Sequence, residues 1–126
     1  MDQQKTILIV EDDLDLVDMY KEKMKNAGFR VLSATDGRKA LQRTKEIPDL
    51  ILLDILMPKL NGFEVLKKIK KEPATKNIPV IVLTNVGSES VNSDEKLAMS
   101  LGASAYVVKS LNTPEEVLSK IKSILL

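Results

Sequence analysis

The chain has 126 residues, 44% of them hydrophobic and 29% charged, with a net charge of +1 and neither Cys nor His. That length suits one domain spanning residues 1–126, with enough chain to bury a real core. Without Cys there are no disulfides, thiolate zinc sites or cysteine nucleophiles; without His there is no Ser-His hydrolase arrangement, so any chemistry falls to carboxylates, Lys, Tyr and hydroxyls. The near-neutral charge argues against a strongly basic nucleic-acid binder. No apolar run is long enough to span a membrane, and Met1–Lys5 lacks the apolar region of a signal peptide, so the expected compartment is the cytoplasm.

Thr6 to Val10 is a short apolar, β-branched run, predicted as a first strand that stops at three acids, Glu11, Asp12 and Asp13. Leu14, Val17, Tyr20 and Met24 recur at near-helical spacing, and Gly28 terminates a helix predicted from about Leu14 to Ala27. Arg30 to Ala34 is a second strand. Asp36 can cap the next helix, which carries Ala40, Leu41 and Thr44 on one face and is closed by Pro48. Leu50 to Leu53 reads as a strand buried on both faces and ends at Asp54; Asn61 with Glu64 resembles a capping pair for a helix over about Gly62 to Lys71. Phe63, Leu66 and Ile69 are expected on the sheet side of that helix, with Lys67, Lys68, Lys70 and Lys71 mostly facing water.

Pro73 and Pro79 bracket a polar connection to a fourth strand, Val80 to Leu83, which ends at Thr84 and Asn85. Residues 87–95 are rich in poor helix formers, so a fourth helix is predicted to begin only near the end of that stretch, to run to Leu101, and to be the least stable element. Ala105 to Val108 is a fifth strand with Lys109 at its end. Thr113, Pro114 and Glu116 make a strong start for a last helix whose core face is Val117, Leu118, Ile121 and Ile124. Five strands alternating with five helices predict a doubly wound α/β fold with a parallel sheet. A flavodoxin-like strand order, 2-1-3-4-5, which periodicity alone does not supply, would bring Glu11, Asp12, Asp54, Thr84 and Lys109 to one end of the sheet.

Two readings of Asp54 are open on the residues alone: it satisfies loop or helix amides, or it does chemistry in the crevice beyond the strand ends. Clustered carboxylates without His or Cys suit a hard divalent cation such as Mg²⁺, and an Asp can be a nucleophile toward phosphorus. Asp13, or less readily Asp12, can instead simply cap the first helix, and Tyr106 can fill space between strand and helix.

The set V-E-D at Val10–Asp12, L-L-D-I-L-M-P-K-L-N-G from Leu52 to Gly62, L-T at Leu83–Thr84 and Y-V-V-K from Tyr106 to Lys109 resembles the receiver domain of bacterial two-component response regulators, the chemotaxis-regulator-like group of flavodoxin-like folds. The resemblance covers essentially the whole chain. It implies that Asp54 is the phospho-acceptor and that Glu11, Asp12, Asp54 and the Leu56 backbone carbonyl hold Mg²⁺, with Mn²⁺ as a substitute. It further implies that Thr84 and Tyr106 are a switch pair and Lys109 the phosphate-binding cation. On that reading the protein catalyses only its own phosphorylation and dephosphorylation, and signals through the face of the fourth helix, fifth strand and fifth helix. With no His of its own it would take its phosphoryl group from a histidine kinase, a histidine phosphotransfer protein or a small phosphodonor, and act on an unidentified output protein. It would work as a monomer, with dimerisation on phosphorylation left open, and without contacting nucleic acid or membrane. The chain ends with the fifth helix, which suits a stand-alone receiver or one cut from a longer regulator.

Two positions depart from the family pattern. Ser110 follows Lys109 where the family usually has Pro, so a trans bond is expected. Asn85 follows the switch Thr where a small residue is usual; with Leu56 and Val86 it is expected to hinder the hydrolytic water and prolong the phosphorylated state. Two other readings compete: a degenerate receiver that only binds a partner, and a Mg²⁺-dependent phosphohydrolase. The latter lacks the second Asp that haloacid-dehalogenase-type phosphatases place two residues after the nucleophile.

Overall fold

The computed structural model describes residues 4–55, 61–84 and 88–126, with the side chains of 88–93 left aside. Five strands, β1 (Thr6–Val10), β2 (Arg30–Ala34), β3 (Leu50–Asp54), β4 (Val80–Thr84) and β5 (Ala105–Val108), alternate with α1 (Leu14–Asn26), α2 (Gly37–Arg43), α3 (Gly62–Lys71), α4 (Ser88–Ser100) and α5 (Pro114–Leu125). Short 3-10 turns follow α2 (Thr44–Glu46) and β5 (Lys109–Leu111). All strand pairs are parallel and the order is β2-β1-β3-β4-β5, as the flavodoxin-like reading requires.

The strand pleat divides the core in two. Leu8 and Val10, Ile51 and Leu53, and Val80 and Val82 point to one face, where they pack with Ala40 of α2, Val65, Leu66 and Ile69 of α3, and Ala98 of α4. Their neighbours Ile7 and Ile9, Leu50 and Leu52, and Ile81 and Leu83 point to the other, against Tyr20 and Met24 of α1 and Val117 and Ile121 of α5. A sheet covered on both faces needs continuous apolar strands, which is why β3 and β4 are uninterrupted buried runs. Each fully buried Leu or Ile contributes roughly 1.5–3 kcal/mol. Among the described residues no helix is long and apolar enough to cross a membrane.

The helix ends follow their sequence signals closely. Asp13 caps α1 by accepting from the Asp15 and Leu16 N–H groups, Asp36 caps α2 from Lys39 and Asn61 caps α3 from Phe63. Thr113 and Glu116 form a reciprocal capping box on α5. Gly28, at φ +97, takes the left-handed conformation that ends α1.

Three expectations need correction. The fourth helix begins at Ser88 rather than late in the polar stretch. Propensity differs by at most about 0.7 kcal/mol per residue among ordinary residues, so it is a weak guide to where a helix starts and tertiary context overrides it. On α3, Val65 is fully buried, whereas Phe63 sits at the margin of the core. Lys70 is half-buried rather than solvated: its ammonium donates to the Lys76 and Ile78 carbonyls, at 3.1 and 2.7 Å, and burial lowers its pKa.

Gly62 fixes the distance between β3 and α3. A Cβ there would lie inside the van der Waals envelope of Ile55 Cα and 2.7 Å from the Asp54 carbonyl oxygen. Both obstacles are backbone, so no side chain can swing aside. Gly62→Ala is therefore expected to cost about 3 kcal/mol by overpacking. Gly28→Ala, with open space around its Cβ but a left-handed φ, should lose only about 1 kcal/mol. Urea unfolding of both variants checks the ranking; equal losses would mean that α3 can move off β3 at little cost.

Candidate functional site

The carboxyl ends of β1, β3, β4 and β5 converge on one edge of the sheet. The β1–β3 register sets Val10 beside Leu53, so the next residues, Glu11 and Asp54, emerge side by side. The β4–β5 register sets Thr84 beside Val108, which delivers Lys109 at the head of the following turn. Glu11, Asp54 and Thr84 are buried and Asp12 is exposed.

Carboxylate oxygens of Glu11, Asp12 and Asp54 lie within 4.8 Å of one another. Lys109 Nζ sits between two of these groups, donating to both Glu11 oxygens at 2.9 and 3.0 Å and to Asp54 Oδ2 at 3.1 Å. One ammonium thus serves two buried carboxylates, and the cluster is short of positive charge. Its consequence falls on Glu11, whose pKa is pushed up to about 8. Burial is the main cause, and a hydrogen bond and charge repulsion from Asp54 add to it; the opposing pull of Lys109 is weaker. The Lys109 pKa is also raised, but for a different reason: burial would lower it, and the two carboxylates together outweigh that.

Three convergent carboxylates with a charge deficit fit a hard divalent cation, which would replace the proton held on Glu11. The Leu56 carbonyl expected in that set, and the Asn85 and Val86 expected near the site, lie outside the described residues. Among the described residues there is no cis peptide bond, in agreement with the expectation for Lys109–Ser110.

Tyr106 is half-buried on β5, and its hydroxyl is buried without a hydrogen-bond partner in good geometry among the described residues. Burial raises its pKa first and the charges of Asp94 and Glu95 on α4 raise it further, while the adjacent Thr84 side chain opposes them. The hydroxyl therefore lies between Thr84 and the acidic middle of α4. Tyr20 of α1 also belongs to this neighbourhood: burial raises its pKa while Lys109 and Glu11 act on it electrostatically. In the sequence Tyr20 shows only as one more residue of an apolar helix face, and no motif singles it out.

A family profile described as the response regulator receiver domain matches residues 7–122. The transcriptional regulatory protein CpxR of Klebsiella pneumoniae is 42% identical over 119 residues, covering 94% of this chain and 48% of CpxR. Among solved structures, a putative response regulator from Chloroflexus aurantiacus superposes with a TM-score of 0.87 at 32% identity, covering 98% of each chain. An Mn²⁺-bound form of response regulator Rcp1 superposes at 0.77 and 32% identity, covering 95% of this chain and 91% of that one. The chain belongs to the response regulator receiver domain family. Its class is that of phosphorylation-dependent signalling switches. The chain spans about half the length of the curated relatives it matches.

In metal-free buffer the protonated Glu11 makes stability depend on pH with a definite sign. Between pH 4.5 and about 8 the folded state holds a proton that the unfolded chain has lost, so stability falls as pH rises through that window. Urea unfolding in EDTA at pH 5 and pH 8 should show the loss, and Glu11→Gln should flatten it. A slope that persists in Glu11→Gln would place the titrating group elsewhere.

Proposed function

We propose that this chain accepts a phosphoryl group on Asp54 from a phosphohistidine donor and relays its presence to the face formed by α4, β5 and α5. The observation that carries this reading is the Lys109 ammonium held between Glu11 and Asp54, in reach of the place where a phosphoryl oxygen on Asp54 would lie. These 126 residues include no His, so the phosphohistidine lies outside them. A histidine kinase or histidine phosphotransfer protein would supply it, and acetyl phosphate can stand in for either.

An Asp54 carboxylate oxygen attacks phosphorus as the bond to the donor's imidazole nitrogen breaks, and that electron pair returns to the ring, which takes up a proton. The product is an acyl phosphate on Asp54 and a neutral His on the donor. Charge builds on the equatorial phosphoryl oxygens, and preorganised donors lower the barrier by meeting it. Lys109 neutralises one oxygen and the Thr84 hydroxyl donates to another. Glu11, Asp12 and Asp54, with the expected Leu56 carbonyl, would hold Mg²⁺ or Mn²⁺, which supplies positive charge for the third; the Mn²⁺-bound form of Rcp1 supports that assignment. Asp54→Asn should abolish phosphorylation, and Lys109→Ala should slow it about 100-fold, the cost of removing one such donor. Intact-mass spectrometry after incubation with acetyl phosphate and Mg²⁺ checks both, with EDTA as a control. No addition to the folded, metal-loaded protein would favour a partner-binding role without phosphorylation.

The switch follows from Thr84. Drawn toward the phosphoryl group, its side chain vacates space that Tyr106 fills by rotating inward, and α4, which carries Asp94 and Glu95 next to that hydroxyl, is repositioned. Leu97 and Met99 are exposed on α4, on either side of the buried Ala98, and so are available to a partner. Converting a resting population of 1:99 to 99:1 takes roughly 5.5 kcal/mol of differential interaction. Hydrogen exchange with and without acetyl phosphate should change protection across Ser88–Leu101, and unchanged protection there would separate phosphorylation from this output face. Asn85 and Leu56 are assigned to slowing hydrolysis of the acyl phosphate.

A further inference from the structure

A cavity of about 440 Å³ opens at the edge of the fold remote from the carboxylate cluster, between the end of α2 with its 3-10 turn and the far end of α3. Its size falls within the range of small-ligand sites, roughly 300–1,000 Å³. Leu41, Ile47, Ile69 and Ala74 give it an apolar lining. Two threonines also line it, but neither hydroxyl seeks a partner there: Thr44 Oγ1 donates to the Leu41 carbonyl and Thr75 Oγ1 to the Ile69 carbonyl, each at 2.7 Å. An apolar group entering would therefore leave no polar atom of these side chains unpaired.

Ile47 carries a second, independent signal. It stands at φ 51 and ψ 65, in the left-handed region that a β-branched side chain rarely occupies, and it is half exposed to solvent. Strain of this kind persists only where its surroundings over-determine it and is concentrated at binding and switch sites. Here it keeps an isoleucine at the cavity wall where glycine would suit the backbone better.

The rim sets the charge of the occupant. Lys45 and Lys68 border the opening and, among the described residues, neither has an ion-pair partner; Arg43 nearby is already engaged by Glu46 at 2.9 Å. Glu72 is the one acid on the rim, so two cations face one anion. The aliphatic lining, with no aromatic side chain to stack a ring among the described residues, favours a flexible hydrocarbon tail. We propose that this cavity binds an amphipathic monoanion, a medium-chain carboxylate, with its tail against Leu41, Ile47 and Ile69 and its head group between Lys45 and Lys68.

Sodium octanoate titrated into ¹⁵N-labelled protein, followed by two-dimensional amide spectra, tests this directly. Saturable shifts confined to residues 41–47 and 68–75 are expected. Ala74→Trp, at an exposed position, fills the cavity and should weaken binding at least about tenfold. A Lys45→Glu, Lys68→Glu double variant should also lose about tenfold, as should replacing octanoate by neutral octanol. The spectrum of each variant reports whether it remains folded. Shifts scattered over the lysine-bearing surface, shifts unaffected by Ala74→Trp, no shifts at all, or octanol binding as tightly as octanoate would each overturn the proposal.

Discussion

Two carboxylates buried against one ammonium is the constraint on which the rest of the site depends. Glu11 and Asp54 emerge side by side from adjacent strands, and Lys109 reaches both from the turn after β5. Leaving a buried charge without its partner typically costs about 3–5 kcal/mol, so Lys109 binds the last strand's exit turn to the first and third strands as well as neutralising them. The balance remains incomplete, and Glu11 holds its proton up to about pH 8 as a result. A fold selected for stability alone would do better with apolar side chains at these positions. The residual deficit is what makes the cluster receptive to further positive charge, and a divalent cation answers it more fully than a proton.

The parallel sheet is what makes such crowding possible. Each βα crossover brings the chain back to begin the next strand at the same edge, so every strand end points the same way and residues far apart in sequence meet: Glu11 and Lys109 are 98 positions apart. The pleat commits successive strand residues to opposite cores and leaves only the strand ends for polar groups. Gly62 then lets α3 start against the backbone of Asp54 and Ile55, which closes one side of the site.

The sequence made much of this legible, because the signals were local and redundant. Buried parallel strands need unbroken apolar runs, and caps need short polar side chains, so strand limits and the caps at Asp13, Asp36 and Thr113 could be placed from residue type alone. Strand order came from the family resemblance, since pairing is a non-local property that no periodicity encodes. The readings that failed were those in which tertiary contacts decide. Helix α4 reaches back to Ser88 because per-residue propensities are small enough for tertiary context to override, and Lys70 leaves solvent because the carbonyls of Lys76 and Ile78 lie within its reach. Val65 is fully buried while Phe63 packs at the core's margin, a distinction that depends on how α3 sits on the sheet. The charge deficit and the nearness of Tyr20 to it were invisible, because both depend on distances between side chains from different elements.

On the proposed reading, the Tyr106 hydroxyl helps explain how a single phosphoryl group could move α4. Among the described residues the buried Tyr106 hydroxyl makes no hydrogen bond in good geometry, which carries a penalty of about 1–3 kcal/mol, and Asp94 and Glu95 also oppose its ionisation. The resting arrangement is thus not the best available to that side chain. An inward rotation that found it a partner would recover part of the roughly 5.5 kcal/mol a full switch demands. The remainder would come from Thr84 and Lys109 exchanging their present contacts for phosphoryl oxygens, where the difference between the bonds made and the bonds given up is what counts. The terms are individually modest and all local to the strand ends, so on this reading a switch needs no large rearrangement of the sheet, only that Thr84 and Tyr106 change partners in the same step.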